Sequence, residues 1–186
     1  MVRRYSTKYP CYDATRGSSL IPQARLLFFG IRITIREANV SDTDIIAEFN
    51  SQMALETEQR RLNPERLRKG VAALLEDKAK GVYFLAEIED ETNARTIAGQ
   101  LMLTYEWSDW RNGNFWWIQS VYVMKEFRGK GVFRALFQQV QSLATARNDV
   151  CGLRLYMDAQ NQTARQTYDR IGFQQTNYEI FEIEFR

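Results

Sequence analysis

The stretch "SVYVMKEFRGKGVFRAL", residues 120–136, decides the fold. It begins at the end of a dense aromatic and apolar run and ends inside a run with helical spacing. Between them stand Gly129 and Gly131, with Arg128, Lys130 and Arg134 beside them. A strand that ends in a glycine-rich turn and opens a helix presents unpaired backbone N–H groups. The helix dipole adds partial positive charge there, and glycine lets the backbone approach a ligand closely. The combination suits phosphate or pyrophosphate. The turn is not a Walker A loop, which needs Gly-x4-Gly-Lys-Ser/Thr. It is not a dinucleotide fingerprint either, because the third glycine is missing. A basic surface turn with no ligand gives the same local signal.

Upstream of that turn the pattern is strand-rich. "FWWIQSVYV" reads as a long aromatic strand, preceded by the turn "SDWRNGN". "VYFLAEIE" and "TIAGQLMLTYEW" flank the polar turn "DETNAR" and read as a hairpin, so the three strands form an antiparallel meander. Further back, "NPERLRKGVAALLEDKAKG" is predicted as a helix, with Asn63 as N-cap, Pro64 at the first helical position and Gly81 as its stop. "SDTDIIAEFNSQMALETE" is predicted as another, capped by Ser41, with Ile45, Ile46, Phe49 and Met53 on its apolar face. "IRITIREA" alternates as a strand. Downstream, Val132, Leu136, Val140 and Leu143 mark a helix face, "CGLRLYM" alternates as a strand, and Asn161 opens a helix that Gly172 ends. "FQQTNYEIFEIEF" is predicted as a final strand. The order β-α-α-β-β-β-α-β-α-β makes an α/β domain with a mixed, mostly antiparallel sheet flanked by helices.

The 186 residues are 45% hydrophobic and 26% charged, ordinary for a globular domain that buries a core without disulfides or metals. Apolar runs are too short to span a bilayer. Cys11 and Cys151 match no zinc or redox spacing, so a reducing cytoplasm is the expected setting and no metal is expected. There is no histidine. That removes the usual neutral-pH general base and every Ser-His or Cys-His nucleophile. The net charge of +2 is uneven. Residues 1–30 carry Arg3, Arg4, Lys8, Arg16 and Arg25 against Asp13 alone. They read as a basic N-terminal extension, expected to be poorly ordered, with a targeting peptide as the sharper alternative. The domain is expected over residues 31–186, where acids slightly outnumber bases, so nucleic-acid binding is not expected.

Two motifs together resemble the GNAT superfamily of N-acetyltransferases. "SVYVMKEFRGKGVFRAL" is similar to that family's acetyl-CoA-binding motif, Arg/Gln-x-x-Gly-x-Gly/Ala after a hydrophobic strand, with Arg128, Gly131 and Phe133 at the three positions. Phe133 departs from the usual small residue, so its side chain must point away from the phosphates. "NQTARQTYDRIGF" is similar to the pattern Asn-x-x-Ala-x-x-x-Tyr-x-x-x-Gly-Phe of the family's next helix, with Asn161, Ala164, Tyr168, Gly172 and Phe173. The element order from Ile31 onward is also the family's. The resemblance implies a GNAT-like fold and acetyl-CoA as co-substrate. It implies that the backbone N–H groups of Arg128, Gly129, Lys130, Gly131, Val132 and Phe133 hold the pyrophosphate. Val121, Tyr122 and Val123 would pair with the pantetheine arm, and Asn161 would bond near it. For Asn161 a plain helix N-cap gives the same signal. Dimers are common in such folds, and a homodimer is compatible with the resemblance.

The implied reaction is direct transfer of an acetyl group to a primary amine, of a small molecule or a peptide. A lysine-like amine has a pKa of about 10.4, so a proton must leave it first. The departing thiolate needs a proton. Tyr168 matches the family's acid, with a packing role on its helix as the alternative. Many relatives use a glutamate on the strand before the loop, but "FWWIQSVYV" has no acid. Glu106 and Asp109 are the nearest candidates for the base. Glu56 and Glu58 are alternatives if the first helix lines the acceptor site, and a water chain from the backbone is another. Each acid also fits a solvated surface role. Trp107, Trp110, Trp116 and Trp117 crowd one hairpin, with Trp116 and Trp117 on opposite sheet faces. They read as sheet packing or a dimer surface, or as an aromatic wall for the amine. A non-catalytic acyl-CoA-binding regulatory module is the competing function.

Overall fold

The computed structural model describes residues 24–28, 31–90 and 93–185. In chain order the elements are β1 (Ala24–Phe28), β2 (Ile31–Glu37), α1 (Thr43–Glu58), α2 (Pro64–Leu75), β3 (Val82–Glu89), β4 (Arg95–Ser108), β5 (Gly113–Val123), α3 (Val132–Thr145), β6 (Val150–Leu155) and α4 (Gln162–Arg170). The chain divides into two compact units, Met1–Arg154 and Leu155–Arg186.

The strands form one sheet in the order β1-β2-β3-β4-β5-β6. The pairings from β1 to β5 are antiparallel, and β3, β4 and β5 form the meander read from the sequence. At the start of β5 the Asn114 N–H donates to the Asp149 carbonyl (2.7 Å), just before β6 begins. The two strands therefore start side by side and run in parallel, joined through α3 as a βαβ crossover needs. The sheet is mixed and mostly antiparallel.

Alternation sorts the sheet's side chains to two faces. Ile33, Ile35, Phe84 and Leu101 are fully buried, and so are Leu136, Val132 and Val140 on α3, which packs across β2, β3 and β4. Each large aliphatic side chain buried this way contributes about 1.5–3 kcal/mol. The opposite face gathers Tyr83 and Leu85 with Ile46, Ala47 and Val71 of α1 and α2. Local signals explain most helix starts. The Asn63 side chain accepts the Arg66 N–H (2.9 Å) with Pro64 next in line, as expected of an N-cap followed by proline.

Three readings change. Ser41 does not cap α1. The cap sits two residues earlier, where Asn39 opens a short 3-10 turn, Val40–Asp42, and accepts the Ser41 N–H while the Asp42 carboxylate accepts the Asn39 N–H. Arg36 grips that carboxylate with two bonds of 2.8 Å, so Asp42 serves the turn and an ion pair at once. Secondly, part of the stretch expected as an extension, Ala24–Phe28, is a strand, paired with β2 in register Ala24↔Ile35. "ARLLF" lacks period-two alternation, which hid it; residues 1–23 lie outside the described residues. Thirdly, the final strand predicted over 173–185 is absent: none of those residues is in a strand. Ile180, Phe181, Ile183 and Phe185 are exposed. Alternation sets which way side chains point, but a strand also needs a neighbouring strand for its N–H and C=O groups, and none of these residues pairs in the sheet.

Candidate active site

The site is built where β5 leaves the sheet. β5 pairs regularly with β4 from Ser108↔Gly113 to Met102↔Gln119, then slips: Gln100 pairs with Tyr122. Between these pairs β5 has one residue more than β4, which is a β-bulge at Ser120 and Val121. Ser120 takes φ +46°, a left-handed conformation that a non-glycine residue adopts at a cost of about 1–2 kcal/mol.

After Val123 the chain makes a 3-10 turn, Lys125–Phe127, and enters the glycine loop. Gly129 has φ +74° and Gly131 φ +88°. Both values lie in the region where L side chains are strained, so glycine is the residue type the backbone path requires. Gly131 is the N-cap of α3, and no side chain caps that helix. The first N–H groups of α3 have no partner within the helix, and a Cβ built on Gly129 would meet nothing within 4 Å. An open backbone at a helix N-terminus, with the dipole behind it, fits a pyrophosphate.

Several side chains around the loop are engaged with neighbouring groups. Arg128 is exposed, but its head group is tied back to the protein. Its Nε donates to the Val123 carbonyl (2.8 Å) and its Nη2 to Glu56 (2.7 Å), and its guanidinium lies over the Tyr122 ring. The Tyr122 hydroxyl also donates to Glu56 (3.2 Å). Glu56, near the end of α1, thus braces the loop. Burial pushes the Glu56 carboxyl up, but Arg128, Tyr122 and Lys125 outweigh it and hold it below its ordinary value. Lys130 lies over the Phe127 ring. Phe133 runs along α3 to meet Phe137 (6.3 Å between centroids), and Val132 is buried in the core.

The expected bases are placed as follows. Glu106 accepts from both Arg154 (2.7 and 2.9 Å) and the Trp117 indole N–H. Arg154 in turn stacks on Phe115 at 3.6 Å and lies near Trp117. Burial raises the Glu106 carboxyl, but these donors prevail and hold it low. That is opposite to the shift a neutral-pH base needs. Asp109 is in the β4–β5 turn, where its side chain accepts the Trp110 N–H (2.8 Å). Glu58 is exposed at the end of α1. Trp116 and Trp117 do lie on opposite faces: Trp117 with Glu106, Trp116 against Tyr105 (6.2 Å) and Arg147. Trp107 and Trp110 are exposed.

In the second unit, Asn161 caps α4: its side chain accepts the Ala164 N–H (2.9 Å). Tyr168 is half-buried on α4, edge-on to Phe173 (6.0 Å). Burial raises its hydroxyl above the usual tyrosine value, which keeps it protonated at neutral pH, the state an acid requires. Among the described residues no cluster of ligand side chains could hold a metal, and no helix is long and apolar enough to cross a membrane.

The sequence reading did not anticipate the Glu56–Arg128–Tyr122 brace, nor a set of buried polar residues behind β5. Asn50, Tyr83 and Gln100 are buried among apolar neighbours. Their signals were faint: a glutamine inside the apolar strand "TIAGQLMLTYEW", and an asparagine four residues after Ile46 on the apolar face of α1.

With fold and loop in view, the comparisons agree. Residues 46–173 match the model of the acetyltransferase (GNAT) family. The structure of a "possible acetyltransferase" from Clostridium difficile 630 is 44% identical, with a TM-score of 0.76, over 83% of this chain and 98% of that one. A "predicted acetyltransferase with acetyl-CoA" from Clostridium acetobutylicum shares the fold at 19% identity and a TM-score of 0.64, over 82% of this chain and 96% of that one. A ribosomal-protein-alanine N-acetyltransferase from Brucella melitensis biovar Abortus 2308 does so at 19% and 0.63, over 83% and 99%. No curated protein matches the chain. The fold and its glycine loop define an acyltransferase that uses an acyl-CoA donor. The chain belongs to the acetyltransferase (GNAT) family.

Proposed function

We propose that the protein is an N-acetyltransferase that moves an acetyl group from acetyl-CoA to a primary amine, directly, in a ternary complex. The observation that supports this most is the uncapped start of α3 behind two left-handed glycines, at the end of β5. The backbone N–H groups of Gly129, Gly131, Val132 and Phe133 hold the pyrophosphate, while those of Arg128 and Lys130, also expected to bind it, close the turn on the Lys125 and Phe127 carbonyls. The braced Arg128 fixes the loop's shape. Val121, Tyr122 and Val123 line the arm that carries the acyl group, and Asn161 orders the start of α4.

When bound, the donor supplies an activated acyl group on sulfur. The chain's own groups handle protons. Tyr168, kept protonated by burial, gives a proton to the departing thiolate. The amine must lose one, and the two carboxyls nearest the end of β4, Glu106 and Asp109, are committed to an ion pair and a turn. A water held by backbone carbonyls is the base that fits best. The protein acts in the cytoplasm, in keeping with two cysteines far apart in sequence.

A non-catalytic acyl-CoA-binding module is the second reading. It is favoured by one observation: Glu106 and Glu56 are both locked to arginines. Release of free thiol from acetyl-CoA across a panel of amines separates the two. Amine-dependent release supports the enzyme; tight acetyl-CoA binding without release on any amine supports the module.

A further inference from the structure

Behind the β5 bulge four polar groups form an open ring. The Gln100 Nε2 donates to the Asn50 Oδ1 (2.7 Å) and to the Ser120 carbonyl (3.3 Å). The Asn50 Nδ2 donates to the Tyr83 hydroxyl (3.0 Å). The ring ties α1, β3 and β4 to one residue of β5. It is also deep: Gln100 is 0% exposed, Tyr83 3% and Asn50 6%.

Two features show that this is no ordinary core packing. Burying polar groups is unfavourable relative to an apolar core of the same shape. The ring is also incomplete, since the Gln100 Oε1 is buried with no hydrogen-bond partner. Stability alone would favour leucine at position 100. Ser120, meanwhile, holds a φ of +46°, which persists only where the surroundings over-determine it. Its carbonyl is held by the Gln100 side chain. Leu101, Ser120 and Val121 fall outside the β4–β5 register as a result.

We propose that Asn50, Tyr83 and Gln100 are positioning residues that hold Ser120 in its left-handed conformation and so fix the bulge that aims the end of β5. This rests on the reading of Val121, Tyr122 and Val123 as the lining of the acetyl-CoA arm. The ring touches neither donor nor acceptor; it sets where the strand that receives the donor points. Its apolar surroundings keep water from competing for the hydrogen bonds. Disrupting it lets residues 119–123 relax toward a regular ladder and weakens donor binding.

The test is acetyl-CoA titration and amide hydrogen exchange on Gln100→Leu, Tyr83→Phe and the double variant Gln100→Leu/Ser120→Gly. Gln100→Leu is expected to weaken acetyl-CoA binding about tenfold and to speed exchange at residues 119–123. Adding Ser120→Gly is expected to recover most of that affinity, because glycine holds a positive φ without help. A residue that only supports overall stability would not be rescued this way. Tyr83→Phe, which removes one hydroxyl and keeps the ring's packing, is expected to weaken binding about threefold, and it decides the matter if Gln100→Leu does not fold. Wild-type affinity and exchange in the folded variants, or a double variant no better than Gln100→Leu, overturns the proposal. If the wild-type protein takes up no acetyl-CoA, the donor reading fails instead. Exchange alone then judges the ring, and an unchanged rate at residues 119–123 overturns it.

Discussion

The two halves of β5 use polar groups in opposite ways. From Gly113 to Gln119 the strand pairs in regular register, and its charged neighbours are closed off: Glu106 is locked between Arg154 and Trp117. From Ser120 to Val123 the register slips, a serine adopts a glycine-like conformation, and the strand runs on to an uncapped helix start. The regular half is built for stability and offers no group in a reactive state. The irregular half presents backbone. Backbone strain at Ser120 and the open start of α3 lie where a ligand is expected, and the ion pair there, Glu56 with Arg128, braces the loop from the side.

That contrast can be broken by substitution, and the largest effect on donor binding is expected in the irregular half. Gly131→Val forces a β-branched residue to φ +88° and is expected to lower acetyl-CoA affinity at least about thirtyfold, roughly 2 kcal/mol, measured by titration. Tyr168→Phe is expected to lower turnover by about a hundredfold while leaving donor affinity within a factor of two, as loss of a proton donor should; an unchanged kcat refutes the acid role. Glu56→Gln removes the brace and is expected to weaken donor binding about fivefold. It also carries a pH signature. The Glu56 carboxyl is held low in the folded protein, so its bonds to Arg128 are fully made above its ordinary value, near 4.5. They are lost as pH falls through the lower folded value. The wild-type affinity should show that acid-side step and Glu56→Gln should lack it. In the regular half, Glu106→Gln is expected to leave the basic limb of the pH–rate profile in place. If that limb disappears with the substitution, Glu106 is the base and the contrast between the halves fails.

Much of the irregular half was legible because its code is local. Gly129, Gly131 and the apolar periodicity from Val132 announce a turn and a helix within a few residues, and so do Asn63 and Pro64 at α2. The Ser41 reading failed because a 3-10 turn slipped between cap and helix, which periodicity does not register. The ring was illegible for a different reason: Asn50, Tyr83, Gln100 and Ser120 come from four elements, and only the folded sheet brings them together. The same holds for Glu106 and Arg154, 48 residues apart. The predicted final strand marks the limit of alternation as a signal. Phe181, Ile183 and Phe185 alternate with acids in the sequence, but no strand includes them.

The account's central claim is that backbone geometry, and not the basic side chains, holds the donor. Titrating acetyl-CoA into Gly131→Val and Lys130→Ala side by side tests it most directly. Lys130→Ala should bind within about threefold of wild type, as expected for an exposed charge, while Gly131→Val loses most of its affinity. If Lys130→Ala abolishes binding and Gly131→Val retains it, the account is wrong.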